Sequence, residues 1–254
     1  MREINNEYLV NKLEDKDSNS THLDYYNHED LLHYIYKDTD HIEFQKGESK
    51  VNFTYSTPTI KEVFGLAKDY KKDLNRAVSL LLKNYKQIKY LEIKNDKKEI
   101  NIHTILGNDY KVFFNPYSSG KISSMIDTKD KIIFVQGDPL NTKGLLSLFH
   151  EVGHKEVMDE NNNNPEFLKE YGKEYENILK DKNDILTHPE EDWFRSTTET
   201  AAAFILKNER DAWAKALQNL KSFRKDFSIN INETEDLIHN QCLKSHSDFI
   251  REQL

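Results

Sequence analysis

The sequence has one cysteine and no long apolar run. The single cysteine, Cys242, excludes an internal disulfide framework and fits a reducing compartment. No Cys-His pair accompanies it, so we interpret Cys242 as a small buried residue and not as a nucleophile. No apolar run approaches the roughly 20 residues that span a bilayer, and the first residues, MREINNEYLVNKLEDKD, contain no apolar signal region. We therefore expect a cytoplasmic protein that does not bind membranes.

Positively charged residues are fewer than negatively charged ones. The chain has 36 Lys and Arg residues against 44 Asp and Glu residues, which gives a formal net charge of −8. No basic stripe is evident, so nucleic acid is not an expected partner. Charged residues make up 31% of the chain, and 13 Phe and 13 Tyr residues supply the bulky core material of a polar protein.

The pattern of apolar residues divides the chain near residue 58. Residues 1–58 are predicted to form a polar N-terminal tail (1–21) and a short helix (27–36). Residues 59–254 are predicted to form a single domain.

Between residues 88 and 136 the sequence has the composition of strands. Short turn sequences such as GND and PYSSG separate five segments that are rich in β-forming residues, namely IKYLEIK, KEINIHTIL, YKVFFN, KISSMI and KIIFVQ. Short connections favour antiparallel neighbours. The last segment, residues 131–136, is expected to be an edge strand beside a cleft.

Helical periodicity is predicted on both sides of this sheet. Thr59 and Glu62 form a capping box at the start of the helix before it. Further helices are predicted around residues 145–157, after the NNNNP sequence, and from Thr187 to about Phe223. The fold class is therefore α+β, with a small, mostly antiparallel sheet (about residues 88–136) beside one helix and a helical part after it.

The segment LLSLFHEVGHKEV, residues 145–157, carries the strongest chemical signal. His150 and His154 are one helical turn apart, so their imidazoles share one face of a helix and can bind one metal ion. Histidine nitrogens are preferred zinc ligands, and a catalytic zinc site keeps one position for water. Glu151 follows the first histidine and is predicted to act as the general base toward a zinc-activated water.

A chance match in an ordinary helix is the alternative interpretation of this motif. The apolar residues around the histidines predict a largely buried helix, in which two unpaired imidazoles would be poorly satisfied. Gly153 weakens a helix by about 1 kcal/mol relative to alanine, and such a glycine indicates close approach by another segment. Both observations favour a zinc site.

The third ligand is expected from the later, long helix. Glu199 and Glu209 both lie on its apolar side, where a carboxylate needs a cation or hydrogen-bond donors. On a straight helix they are about 15 Å apart, so one ion cannot bind both. The residue pattern leaves the choice between them open, with His188 as a further alternative.

The HEVGH motif, followed by NERDAWAKAL, resembles the zincin metallopeptidases that use a glutamate as third ligand. The ImmA/IrrE-like cytosolic peptidases are the most similar group, since Glu209, Ala212 and Ala216 match the spacing of their downstream segment. The resemblance covers about residues 131–217. It implies a zincin-like fold, with residues 59–254 as a single zincin-like catalytic domain in which Glu209 completes the zinc site.

The predicted function is zinc-dependent hydrolysis of peptide bonds in a protein or peptide substrate held along the sheet edge. The transition-state donor is expected among His188, Tyr171 and Arg210. A non-catalytic, zinc-stabilised interaction or regulatory protein is one alternative, and a helical scaffold without a metal is another.

Overall fold

Seven strands form one sheet in the computed structural model, which describes residues 36–37, 40–60, 62, 74–117, 124–173, 199–230, 232 and 234. The strands are β1 (His41–Lys46), β2 (Ser49–Ser56), β3 (Lys86–Lys94), β4 (Glu99–Asn101), β5 (Lys111–Asn115), β6 (Met125–Asp127) and β7 (Ile132–Gln136). Their order is β1-β2-β3-β5-β7-β6, and β4 pairs with β3 beside this path. All pairs are antiparallel except β5 with β7. The prediction of a mixed fold with a mostly antiparallel sheet is confirmed.

The position of β6 produces the one parallel pair. After β5 the chain forms β6, turns through residues 128–131, and returns as β7 between β5 and β6. All five residues of β7 are buried, as expected for a strand with both edges paired and both faces covered. The prediction that residues 131–136 form an edge strand is therefore wrong, and β6 ends the described sheet on this side.

The sheet also begins earlier than predicted. β1 and β2 lie in the segment 1–58, for which only a tail and a short helix were predicted. In β2, Ser49, Val51, Phe53 and Tyr55 are buried and alternate with more exposed residues, which is the period of a strand with one covered face. Polar residues at the alternate positions give this segment a low average hydropathy, which is why the strands were missed.

Part of the predicted segment KEINIHTIL is helical. Only Glu99–Asn101 pair as a strand, and Ile102–Leu106 form a short helix, α2. Asn101 caps this helix by accepting the N–H of His103, and Gly107 ends it with a φ of 87°. Side-chain capping and a left-handed glycine override the β propensity of the isoleucines.

The other described helices agree with the prediction. Thr59 and Glu62 form the predicted capping box: the Thr59 N–H donates to Glu62 Oε2 at 2.8 Å, and the Glu62 N–H donates to Thr59 Oγ1 at 3.3 Å. The helices are α1 (Leu74–Asn84), α3 (Thr142–Glu160) and α4 (Glu199–Leu220), which a 3₁₀ turn (Lys221–Phe223) follows. Residues 165–173 are also helical. The tail 1–21, most of the short helix 27–36, the predicted helix start at Thr187, and Cys242 lie outside the described residues.

The main core lies between the sheet and α3. Phe53, Phe114, Val135 and Phe149 belong to one buried cluster that joins the strands to this helix. α3 also packs against α4. Among the described residues, no helix combines the length and the apolar character needed to cross a membrane.

Candidate metal centre

Helix α3 presents His150 and His154 on one side. Asn141 begins the helix by accepting the N–H of Gly144 at 2.8 Å. The buried side of α3 includes Leu145, Leu148, Phe149 and Val152. The two histidines are one turn apart, and their Nε2 atoms are separated by 3.2 Å. The packing of α3 on the sheet therefore fixes a backbone from which both imidazoles converge.

Helix α4 approaches α3 at Gly153. A Cβ atom at this position would lie 2.2 Å from the carbonyl oxygen of Ala212. Ala212 and Ala216 are completely buried, so small residues on both helices allow their backbones to come close. The predicted reason for a glycine inside the motif, close approach by another segment, agrees with this contact.

The close crossing places Glu209 against both histidines. Its Oε2 atom lies 3.1 Å from His150 Nε2, and its Oε1 atom lies 3.5 Å from His154 Nε2. One potential ligand atom from each of the three residues lies within 4.8 Å of the others, and the side chains are partly buried. Two imidazole nitrogens and a carboxylate oxygen are a ligand set of catalytic zinc sites. The donor chemistry therefore fits zinc.

Glu199, the other acidic candidate on this helix, is the first residue of α4. Its side chain is not among those that the structure describes. Along the axis it is about 15 Å from Glu209. The structure places the carboxylate of Glu209, one of the two predicted candidates, beside the histidines.

Glu209 and His154 shift each other's pKa in opposite directions. Burial alone would raise the pKa of the Glu209 carboxyl group, but the nearby charges of His154 and His150 and their hydrogen bonds hold that pKa well below its usual range. Burial alone would lower the pKa of His154, but the Glu209 carboxylate raises this pKa above its usual value. The fold thus holds an anionic carboxylate where a cation can compensate its burial.

Comparison with known proteins identifies no relative. No protein-family model matches the chain, and neither a curated protein nor a solved structure is significantly similar to it. The zincin-like fold and the resemblance to ImmA/IrrE-like peptidases therefore stay predictions, which rest on the residues of α3 and α4.

Glu151 lies beside this cluster on α3. Only 3% of its surface is exposed, and its negative charge helps to raise the pKa of His154. The role of Glu151 as the general base stays a prediction.

Two residues of α4 contact the histidines without having been predicted to do so. The Asn208 side chain interacts with His154 and helps to raise the pKa of this histidine. The Trp213 indole stacks on the His150 imidazole with a centroid distance of 4.2 Å. The sequence indicated Trp213 only as an apolar residue of the helix. Asn208 matched no motif from which a contact with a histidine could be predicted.

The candidate transition-state donors have different surroundings. The Tyr171 hydroxyl lies 2.5 Å from Thr128 Oγ1, so it bonds to the turn between β6 and β7. Arg210 is exposed, although it follows Glu209 directly. His188 lies outside the described residues.

Proposed function

We propose that this chain is a zinc-dependent peptidase of the zincin type that acts in a reducing compartment such as the cytoplasm. One observation carries the proposal: His150, His154 and Glu209 converge at ligand spacing, with the buried carboxylate of Glu151 on the residue that follows the first histidine. A fold that needed only packing would gain nothing from enclosing two imidazoles and two carboxylates together.

Each residue of the cluster has a separate task in this proposal. His150, His154 and Glu209 would hold the metal ion through Nε2 and carboxylate oxygens. Zinc, when bound, supplies a Lewis acid that makes water nucleophilic near neutral pH. Glu151 accepts the proton of the attacking water and passes it to the amine of the departing peptide half. The near-complete burial of Glu151 keeps bulk water from competing for this proton.

The sheet supports an extended peptide as the substrate. α3 packs against β6 and β7, and β6 is the outermost described strand on this side of the sheet. An edge strand can pair with the backbone of an extended peptide. Pairing along Met125–Asp127 would place the peptide beside the helix that carries the histidines.

The test compares Glu151→Gln with the parent and with Glu166→Gln. Glutamine is nearly isosteric with glutamate but cannot accept the proton, so cleavage is expected to fall by about 100-fold or more while the zinc content is retained. Glu166 is exposed in the helical segment 165–173, so the same chemical change there should leave both quantities at the parent level. Zinc is measured by elemental analysis, and cleavage by mass spectrometry of a mixture of unstructured peptides.

Three results would oppose the proposal in different ways. A carefully prepared parent that neither contains zinc nor takes it up would exclude the metal centre. A zinc-containing parent that cleaves no peptide in a diverse mixture would favour the non-catalytic interaction protein. Cleavage by Glu151→Gln at the parent rate would remove Glu151 from the mechanism.

A further inference from the structure

Trp213 covers one face of the His150 imidazole. The two ring centroids are 4.2 Å apart and the ring planes differ by 24°, so the contact is a stack and not an edge contact. Only 8% of the surface of Trp213 is exposed. The indole therefore restricts the rotation of the His150 ring from a fixed, buried position.

This stack leaves the metal-binding direction of His150 unobstructed. Imidazole binds a metal through a nitrogen lone pair in the ring plane, whereas Trp213 lies against the ring face. His150 Nε2 points toward Glu209, whose Oε2 atom is 3.1 Å away. The same ring can thus contact Trp213 with its face and a metal ion with its edge.

The helix crossing determines where Trp213 lies. Ala212, the residue before Trp213, lies against Gly153. A Cβ atom at Gly153 would lie 2.2 Å from the carbonyl oxygen of Ala212. The contact between Gly153 and Ala212 brings Glu209 to the histidines, and it also brings Trp213, which follows Ala212, onto His150. Among the described residues, the indole Nε1 atom has no hydrogen-bond partner, so the aromatic face is the part of Trp213 that the site uses.

We infer that Trp213 is a positioning residue of the metal centre, an inference that rests on the proposed zinc site. By stacking, it holds the His150 ring in the orientation that binds the ion. It also favours the metal-bound state electronically, because a bound cation withdraws electrons from the imidazole and the indole face is electron-rich. Residues that orient a ligating histidine in this way typically change metal affinity by about 10–100-fold.

The experiment measures the zinc affinity of Trp213→Leu and Trp213→Phe by competitive titration against a chelating dye. Leucine keeps an apolar side chain but removes the aromatic face, so its affinity is expected to fall by about 10–100-fold. Phenylalanine keeps an aromatic face and loses no hydrogen bond, so its loss should be distinctly smaller. Rescue by phenylalanine distinguishes stacking from simple filling of space.

Leu220→Ala provides a control for general destabilisation. Leu220 is buried on the same helix, with 1% of its surface exposed, but does not belong to the metal cluster. Its truncation should lower the free energy of unfolding of the metal-free protein and leave zinc affinity near the parent value. Urea unfolding of all variants without metal reports their stability separately from their zinc affinity.

A second measurement observes the stack directly. The chain has two tryptophans, so in a Trp193→Phe background the tryptophan fluorescence comes from Trp213 alone. Zinc is expected to change this emission, because the metal binds to the ring on which the indole stacks. Absence of any change on saturation with zinc would overturn the inference.

The possible failures are distinguishable. If the parent takes up no zinc, the proposed function and the inference both fail. If the parent binds zinc and Trp213→Leu binds it equally well, only the inference fails. The inference about Trp213 also fails if Trp213→Phe loses as much zinc affinity as Trp213→Leu. It fails likewise if Leu220→Ala loses as much zinc affinity as either Trp213 variant.

Discussion

Glu209 contacts both candidate histidines through its two carboxylate oxygens, and Glu199 begins the same helix about 15 Å away along the axis. At the residue scale, this difference in position determines which carboxylate can complete the site. A site with two imidazoles and no carboxylate retains too few ligands for tight zinc binding.

Glu209→Ala is therefore expected to reduce zinc affinity by orders of magnitude. Glu199→Ala is the matched truncation on the same helix. It should lower zinc affinity by at most the roughly 10–100-fold that is typical of a residue that orients a ligand. Competitive zinc titration of both variants measures the difference, and circular dichroism confirms that each is folded. A larger loss for Glu199→Ala would transfer the ligand role to that residue.

At the scale of secondary-structure elements, the crossing of α3 and α4 depends on Gly153. A Cβ atom there would meet three backbone atoms of Ala212, at 2.2 to 3.1 Å. Backbone atoms cannot rotate away as a flexible side chain can, so the helices must separate. Separation would move Glu209 away from His150 and His154, so the packing of the two helices affects the candidate metal site.

Gly153→Ala is expected to destabilise the protein by about 1–3 kcal/mol, as overpacked cores are, despite the gain of up to about 1 kcal/mol from helix propensity. Zinc affinity should fall as well. Gly172→Ala is the control, because nothing lies within 4 Å of a Cβ atom at that helical position. The higher helix propensity of alanine should therefore stabilise this variant slightly. Urea unfolding and zinc titration measure both effects; equal stability of the two variants would contradict the close crossing.

At the scale of the whole molecule, segments far apart in the chain form one structure. Asp226, after α4, accepts hydrogen bonds from the Glu48 N–H in the β1–β2 turn and from the hydroxyl group of Ser49 at the start of β2. Tyr36, Phe53 and Tyr55 belong to the same buried cluster as Phe149 of α3. The early strands therefore contribute to the core on which the helix with the two histidines packs.

A chain that begins at residue 59 is expected not to fold cooperatively, because it lacks β1, β2 and their buried side chains. Removal of residues 1–21 alone, which are predicted to be a tail, should leave the unfolding transition unchanged. Thermal unfolding followed by circular dichroism distinguishes the two truncations. A cooperative transition at the parent temperature for residues 59–254 would show that the first two strands are dispensable.

The sequence by itself determined the features that depend on local geometry. His150, Glu151 and His154 could be placed on one helix because the helical repeat relates neighbours four residues apart without reference to the rest of the fold. The capping box of Thr59 and Glu62 was predictable for the same reason. Short connections also sufficed to predict a mostly antiparallel sheet.

Tertiary structure alone decided the features that depend on distant segments. The sequence predicted Glu199 and Glu209 on one apolar side of the same helix, and the contact between Gly153 and Ala212 brings Glu209 to the histidines. The stack of Trp213 on His150 follows from that same contact. The place of β7 inside the sheet depends on its pairing with β5 and β6. A strand's neighbours and a helix crossing are set by the packing of the whole chain, and no local repeat in the sequence encodes them.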